Sequence, residues 1–170
     1  MITRQHLHQA WGEATRLYQL ARVNSERTLQ AILYSQLVAI LPAETCVLCE
    51  PTIKIPELGI PDLVVVSNKE VTAVIEIKFV PHFLVPYEKD IAKLKKYGSM
   101  STEANFPLIL QPRTGKYSDE HFTFSGNCLL VFAVIARQDS KAVDEGILNE
   151  GMRPFADRFV PLVYPVSNQA

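Results

Sequence analysis

No apolar run in this sequence approaches the roughly 18 residues that a membrane helix needs. The opening stretch, Met1-Ile2-Thr3-Arg4-Gln5-His6, lacks the apolar core of a signal peptide. A cytoplasmic protein with no membrane partner is therefore expected. Cysteine is scarce: Cys46, Cys49 and Cys128 are an odd number and make no disulfide framework. Cys46 and Cys49 stand as C-x-x-C, but a zinc site needs a second ligand pair at matching spacing, and the sequence has none. They are expected to be packed side chains, as free cysteines commonly are. Charge of one sign is lacking too. The net charge is −1 and the isoelectric point about 6.4, so the bulk basicity of a typical nucleic-acid binder is missing. A local basic face can still serve on a neutral protein. There is no Gly-rich phosphate loop, nucleophile triad or cofactor motif, which leaves a small-molecule enzyme without support. Internal repeats, low-complexity segments and linkers are likewise missing.

What is present is enough apolar residue for a core. Of the 170 residues 48% are hydrophobic and 21% charged, which fits one globular domain over residues 1–170. Leu7, Ala10, Trp11, Ala14, Leu17, Tyr18 and Ala21 repeat at helical spacing, predicting a helix from about Arg4 to Arg22. Asn24 or Ser25 caps a second helix ending near Ile40, before Pro42. Its apolar stripe is Leu29, Leu33, Leu37 and Ile40, and Glu26 lies one turn ahead of Leu29.

Three strands are expected next, over about 47–55, 60–67 and 71–79. Ser67-Asn68-Lys69-Glu70 reads as the turn of a hairpin joining the last two. Both strands are apolar on both faces, as in a sheet covered on both sides. Pro86 suits the first turn of a third helix reaching about Tyr97. Phe106 to Leu110 reads as a short strand or buried loop and Leu129 to Ala136 as a strong strand. Asp139 to Asn149 reads as a helix, and Phe159 to Tyr164 as an edge strand with prolines.

Charge enters this apolar hairpin at three positions. Asp62 follows Pro61 at the start of the second strand, and Glu76-Ile77-Lys78 interrupts the third. A turn centred near Lys69 places residue 62 opposite residue 76, with side chains on one face about 5 Å apart. Residues 76 and 78 share that face because strand side chains alternate. Two carboxylates and an ammonium are thereby gathered in an apolar sheet, which is costly unless they are paired or hold a metal. Paired carboxylates repel, and a hard divalent cation relieves the repulsion. Mg²⁺ favours one or two carboxylates, waters and a phosphate oxygen. The bland readings are a turn residue for Asp62, a surface ion pair for Glu76 and Lys78, and a helix-dipole acid for Glu26.

Pro61-Asp62 followed by Glu76-Ile77-Lys78 in the next strand resembles the signature of the PD-(D/E)XK superfamily, the restriction-endonuclease-like nucleases. The resemblance covers about residues 25–136. It implies a three-layer α/β/α sandwich with a mixed central sheet and an αβββαβ core, here preceded by an extra N-terminal helix. It implies that Asp62, Glu76 and the backbone carbonyl of Ile77 hold Mg²⁺, with Mn²⁺ able to substitute. Lys78 would position or activate the attacking water. Glu26 matches the acid that many members carry in the helix before the first core strand. Lys89-Asp90-Ile91-Ala92-Lys93-Leu94 looks like the Lys-rich helix that follows the third strand in that family. The implied activity is metal-dependent cleavage of DNA, with catalytic residues Asp62, Glu76, Lys78 and Glu26.

Lys89, Lys93 and Lys96 recur at i, i+4 and i+7, so one helix face offers either phosphate contacts or a solvated surface. Gln111-Pro112-Arg113 and Arg137 are further candidates for phosphate contact. A chain this short has little surface for base readout, which suggests a homodimer or a protein partner that supplies recognition. The rival expectation is a catalytically inactive nuclease-fold protein, acting as a nucleic-acid-binding or protein-interaction module.

Overall fold

In a computed structural model the chain is described over residues 1–53, 55, 58–82, 87–100, 102–107, 121–138 and 144–166. Among these residues it forms a six-stranded mixed sheet and four α-helices. Helix α1 (Arg4–Gln19) starts with a reciprocal cap. The Thr3 hydroxyl accepts from the His6 amide, and the His6 ring accepts from the Thr3 amide. Its buried stripe is Leu7, Ala10, Trp11 and Ala14, as the spacing predicts. The helix ends earlier than Arg22 because Ala21 turns left-handed at φ 55°. Helix α2 (Glu26–Ile40) is capped by Ser25, whose hydroxyl accepts from the Thr28 amide at 3.2 Å.

Strand β1 (Cys46–Cys49) pairs antiparallel with β2 (Leu63–Ser67), which pairs antiparallel with β3 (Glu70–Val80). The expected first strand over 47–55 is cut to four residues. Glu50 adopts φ 45° and Pro51, with no amide hydrogen, cannot extend the ladder. Helix α3 (Glu88–Gly98) carries the chain over the sheet, and β5 (His121–Arg137) then returns parallel to β3. The short β4 (Phe106–Pro107) pairs with the start of β5. Helix α4 (Glu145–Gly151) leads to β6 (Phe159–Val166), parallel to the far end of β5. The edge position of β6 is what tolerates Pro161 and Pro165, which cannot donate to a neighbour. Pro86, residues 108–113 and the start of the helix expected over 139–149 lie outside the described residues.

Alternation along the strands divides the core in two. Leu63, Val65, Ala73, Ile75 and Ile77 pack with α1 and α2 on one face. Val64, Val66, Val74, Leu130 and Phe132 pack with Ile91 and Leu94 of α3, Leu148 of α4 and the following Met152 on the other. None of the described helices is long and apolar enough to cross a membrane.

Asn68 and Lys69 both have positive φ, 52° and 64°, which makes a two-residue turn of the primed type. Ser67 therefore faces Glu70 and Val66 faces Val71, one step away from the register expected of a turn centred on Lys69. An extra residue, Thr72, is then bulged into β3, and its hydroxyl donates to the Val65 carbonyl at 3.2 Å. Beyond the bulge Val65 faces Ala73 and Leu63 faces Ile75. The ladder ends at that pair, so Asp62 and Glu76 lie one residue past it as electrostatic neighbours, in a register restored by a bulge that the sequence pattern did not reveal.

Candidate active site

Strand β2 begins at Leu63, while β3 runs on to Val80. From Glu76 onward β3 therefore keeps β5 on one edge and loses β2 on the other. Amides on the vacated edge need other acceptors. Two carboxylates supply them. Asp62 Oδ2 accepts from the Ile77 amide at 2.6 Å, and Glu26 Oε2 accepts from the Phe79 amide at 3.3 Å. An extended residue carries its carbonyl on the same edge as its amide, so the Ile77 carbonyl also faces the gap. Asp62 is pinned from behind, where its own carbonyl accepts from the Glu50 amide and the Gln30 side chain at 3.0 and 2.9 Å. The side chains of Ser25, Glu26, Arg27, Gln30, Glu50 and Asp62 line a cleft of about 390 Å³ beside the gap.

Glu76 and Lys78 point to the α3 face, in phase with Val74 and Val80. Glu76 is only 1% exposed. Its Oε2 accepts from Lys93 Nζ at 2.6 Å, while Oε1 is buried with no hydrogen-bond partner among the described residues. Lys78 Nζ lies 3.4 Å from Asp90 Oδ2 and 4.0 Å from Glu26 Oε2. The site thus draws on α2, the start of β2, the free half of β3 and the inner face of α3.

The electrostatics follow from this burial. Glu76 is pushed up to about 8, first by desolvation and then by the neighbouring Asp62 charge, against the pull of Lys93. Asp62 is also raised by burial, although its bond from the Ile77 amide works the other way. Burial disfavours the Lys78 ammonium, but Asp90 and Glu26 outweigh it and hold its pKa above the ordinary lysine value. Lys78 is therefore favoured as the cation, with its N–H donors turned toward the Asp90 and Glu26 carboxylates.

Among the described residues no three His, Cys, Asp or Glu side chains gather as a full metal cage. Mg²⁺ does not need one, since it binds one or two carboxylates and fills its octahedron with waters and phosphate oxygens. The donor set here matches that habit. Asp62, Glu76 and the Ile77 carbonyl are all hard oxygen donors, and Oε1 of Glu76 is a buried acceptor with no hydrogen-bond partner among the described residues.

The structure thus brings together Asp62, Glu76, Lys78 and Glu26. It separates the three lysines of α3. Lys89 and Lys96 are exposed, but Lys93 turns inward to Glu76 and leaves the solvent-facing row in which its spacing put it. In the sequence Asp90 stood out only within the Lys-rich helix pattern, and Gln30 carried no expected role. Asp90 precedes Lys93 by three residues, and that helical spacing was the one signal that both reach the same strand. Nothing near Gln30 marked it. Arg137 closes β5, and Arg113 lies outside the described residues. Cys46 and Cys49 are exposed rather than packed, and three residues apart on a strand they face opposite ways. No protein-family model, curated protein or solved structure matches this chain.

Proposed function

We propose that this protein is a divalent-metal-dependent nuclease of the PD-(D/E)XK type that hydrolyses phosphodiester bonds in DNA. One observation carries the reading. The hairpin ladder ends just before Asp62 and Glu76, and one buried Glu76 oxygen has no partner among the described residues, while Lys78 is held between Asp90 and Glu26. The order of elements from α2 to β5, a helix, three strands, a helix, the two-residue β4 and a long strand, supports a restriction-endonuclease-like arrangement. Helices on both sheet faces fit its three layers.

Asp62, Glu76 and the Ile77 carbonyl would hold Mg²⁺, or Mn²⁺ in its place. Such an ion supplies Lewis acidity toward the phosphate and a lowered pKa for water. The protein's own part is positional. Asp62 is oriented by the Ile77 amide, and Glu76 is fixed in the sheet. Lys78, steadied by Asp90 and Glu26, donates to the attacking water or to a phosphate oxygen as charge develops on it. Exposed Lys89 and Lys96 on α3 suit a phosphate backbone. Recognition of a particular DNA would fall to a second copy or to a protein partner.

The test is digestion of plasmid and single-stranded DNA with Mg²⁺ or Mn²⁺. Glu76→Ala and Lys78→Ala should each lower cleavage by about 10³-fold, the rate equivalent of several kcal/mol. Cleavage that survives both substitutions would sink the mechanism. A second reading, an inactive module of the same fold, is favoured by the two ion pairs Glu76–Lys93 and Lys78–Asp90, which engage the site's lysines with its own acids. A folded chain that neither binds Mn²⁺ nor cuts DNA would establish it.

A further inference from the structure

Lys93 departs from the helix face on which its spacing put it, and the manner of its departure is specific. Its stem passes beneath the loop that leads into Asp62. A Cβ on Gly59, which has φ +77°, would stand 3.3 Å from Lys93 Cδ, so the loop lies directly on the lysine. The ammonium donates to the Ile60 carbonyl at 2.9 Å and to Glu76 Oε2 at 2.6 Å. One turn along α3 the Tyr97 hydroxyl donates to the Gly59 carbonyl at 3.0 Å and ties down the same loop. The loop and the helix thus deliver one positive charge to one oxygen of a carboxylate that is 1% exposed.

This pairing is incomplete by the standards of buried charge. A buried carboxylate is ordinarily satisfied at both oxygens, and a half-satisfied one is costly. Lys93 reaches Oε2 alone, and Oε1 stays without a partner among the described residues. Asp62 shares the site and has committed Oδ2 to the Ile77 amide. Among the described residues Lys93 is the ammonium paired with Glu76, while Asp62 feels the charges of both Lys93 and Lys78. A divalent ion held by Asp62 and Glu76 would have to share Glu76 with the Lys93 ammonium, and two cations at one part-buried carboxylate repel strongly.

We propose that Lys93 is the resident counter-cation of this site and that a divalent ion binds by displacing its ammonium from Glu76. The proposal rests on the nuclease reading and adds a regulatory element to it. In the metal-free protein the lysine partly neutralises the acids, keeps the loop closed over them and lowers the site's affinity for metal. Binding the ion then requires the Lys93–Glu76 pair to open. The Ile60 and Gly59 contacts limit how far the freed lysine travels.

Calorimetric titration of Mn²⁺ into the wild-type chain, Lys93→Met and Lys93→Arg tests this without reference to cleavage. Lys93→Met removes the charge and keeps the stem under Gly59, so Mn²⁺ should bind at least about tenfold tighter. Lys93→Arg keeps the charge and should stay near wild type. If Lys93→Met does not fold, Lys93→Gln, which retains a donor toward the Ile60 carbonyl, is read in the same way. Equal or weaker binding by the neutral variant, with Mn²⁺ bound by wild type, overturns the displacement and leaves the nuclease reading standing. If neither wild type nor the neutral variant binds Mn²⁺, both fall together.

Discussion

The two halves of β3 share a strand and a neighbour in β5, yet they differ in what covers the other edge. From Val71 to Ile75 the strand lies between β2 and β5, and every residue there is buried. From Glu76 to Val80 only β5 remains, and Asp62 and Glu26 replace the lost backbone acceptors on the vacated edge. In the first half hydrogen bonding is closed by the ladder, so apolar side chains suffice. In the second the ladder ends inside the protein, so side-chain oxygens must finish it, and with them charge is drawn into the core. The same structural need that completes the sheet collects the acids of the candidate site.

Substitutions can separate the two halves. The largest effect on stability is expected in the paired half. Ile75→Ala removes a fully buried side chain between α2 and the sheet and should cost about 2–5 kcal/mol in urea unfolding. A cost under about 1 kcal/mol would mean that this half is not the tightly packed one.

The open half should declare itself through pH. Glu76 is raised from 4.5 to about 8, so between those values the native chain binds more protons than the unfolded one. Raising pH through that window therefore favours unfolding, and Asp62, also raised, acts in the same direction. With a chelator present the protein should lose roughly 2–4 kcal/mol as pH climbs from about 5 to 8. Glu76→Gln, which cannot ionise, should flatten most of that slope. Thermal melts across the window decide it, and a wild type with no slope would remove the case for a strained, uncompensated acid.

A smaller contrast separates the two capping carboxylates. Asp62→Ala leaves the part-buried Ile77 amide without its acceptor and should cost about 1–3 kcal/mol. Glu26 is half exposed, and water can reach the Phe79 amide in its place, so Glu26→Ala should cost less than about 1 kcal/mol. Asp62→Asn keeps an acceptor and should restore most of the stability while losing the charge. Paired melting curves that show Glu26→Ala as the more damaging change would reverse this account of the edge.

Much of this was legible before any coordinates, for reasons that are local. Helices α1 and α2 declare themselves through apolar spacing, because a helix must turn one stripe to the core. Strands β2 and β3 declare themselves as apolar runs, because both faces are covered. Two-residue alternation by itself put Glu76 and Lys78 on one face, and a short turn at Asn68 and Lys69 brought Asp62 near Glu76. Tertiary structure decided the rest. The bulge at Thr72 corrects the register that the tight turn alone would have shifted by one residue. The early start of β2 hands the Ile77 and Phe79 amides to Asp62 and Glu26. The docking of α3 turns Lys93 inward, because a buried acid on the adjoining strand attracts the nearest long cation. Each of these depends on where a neighbouring element stops or lies, and spacing along one chain carries no record of that.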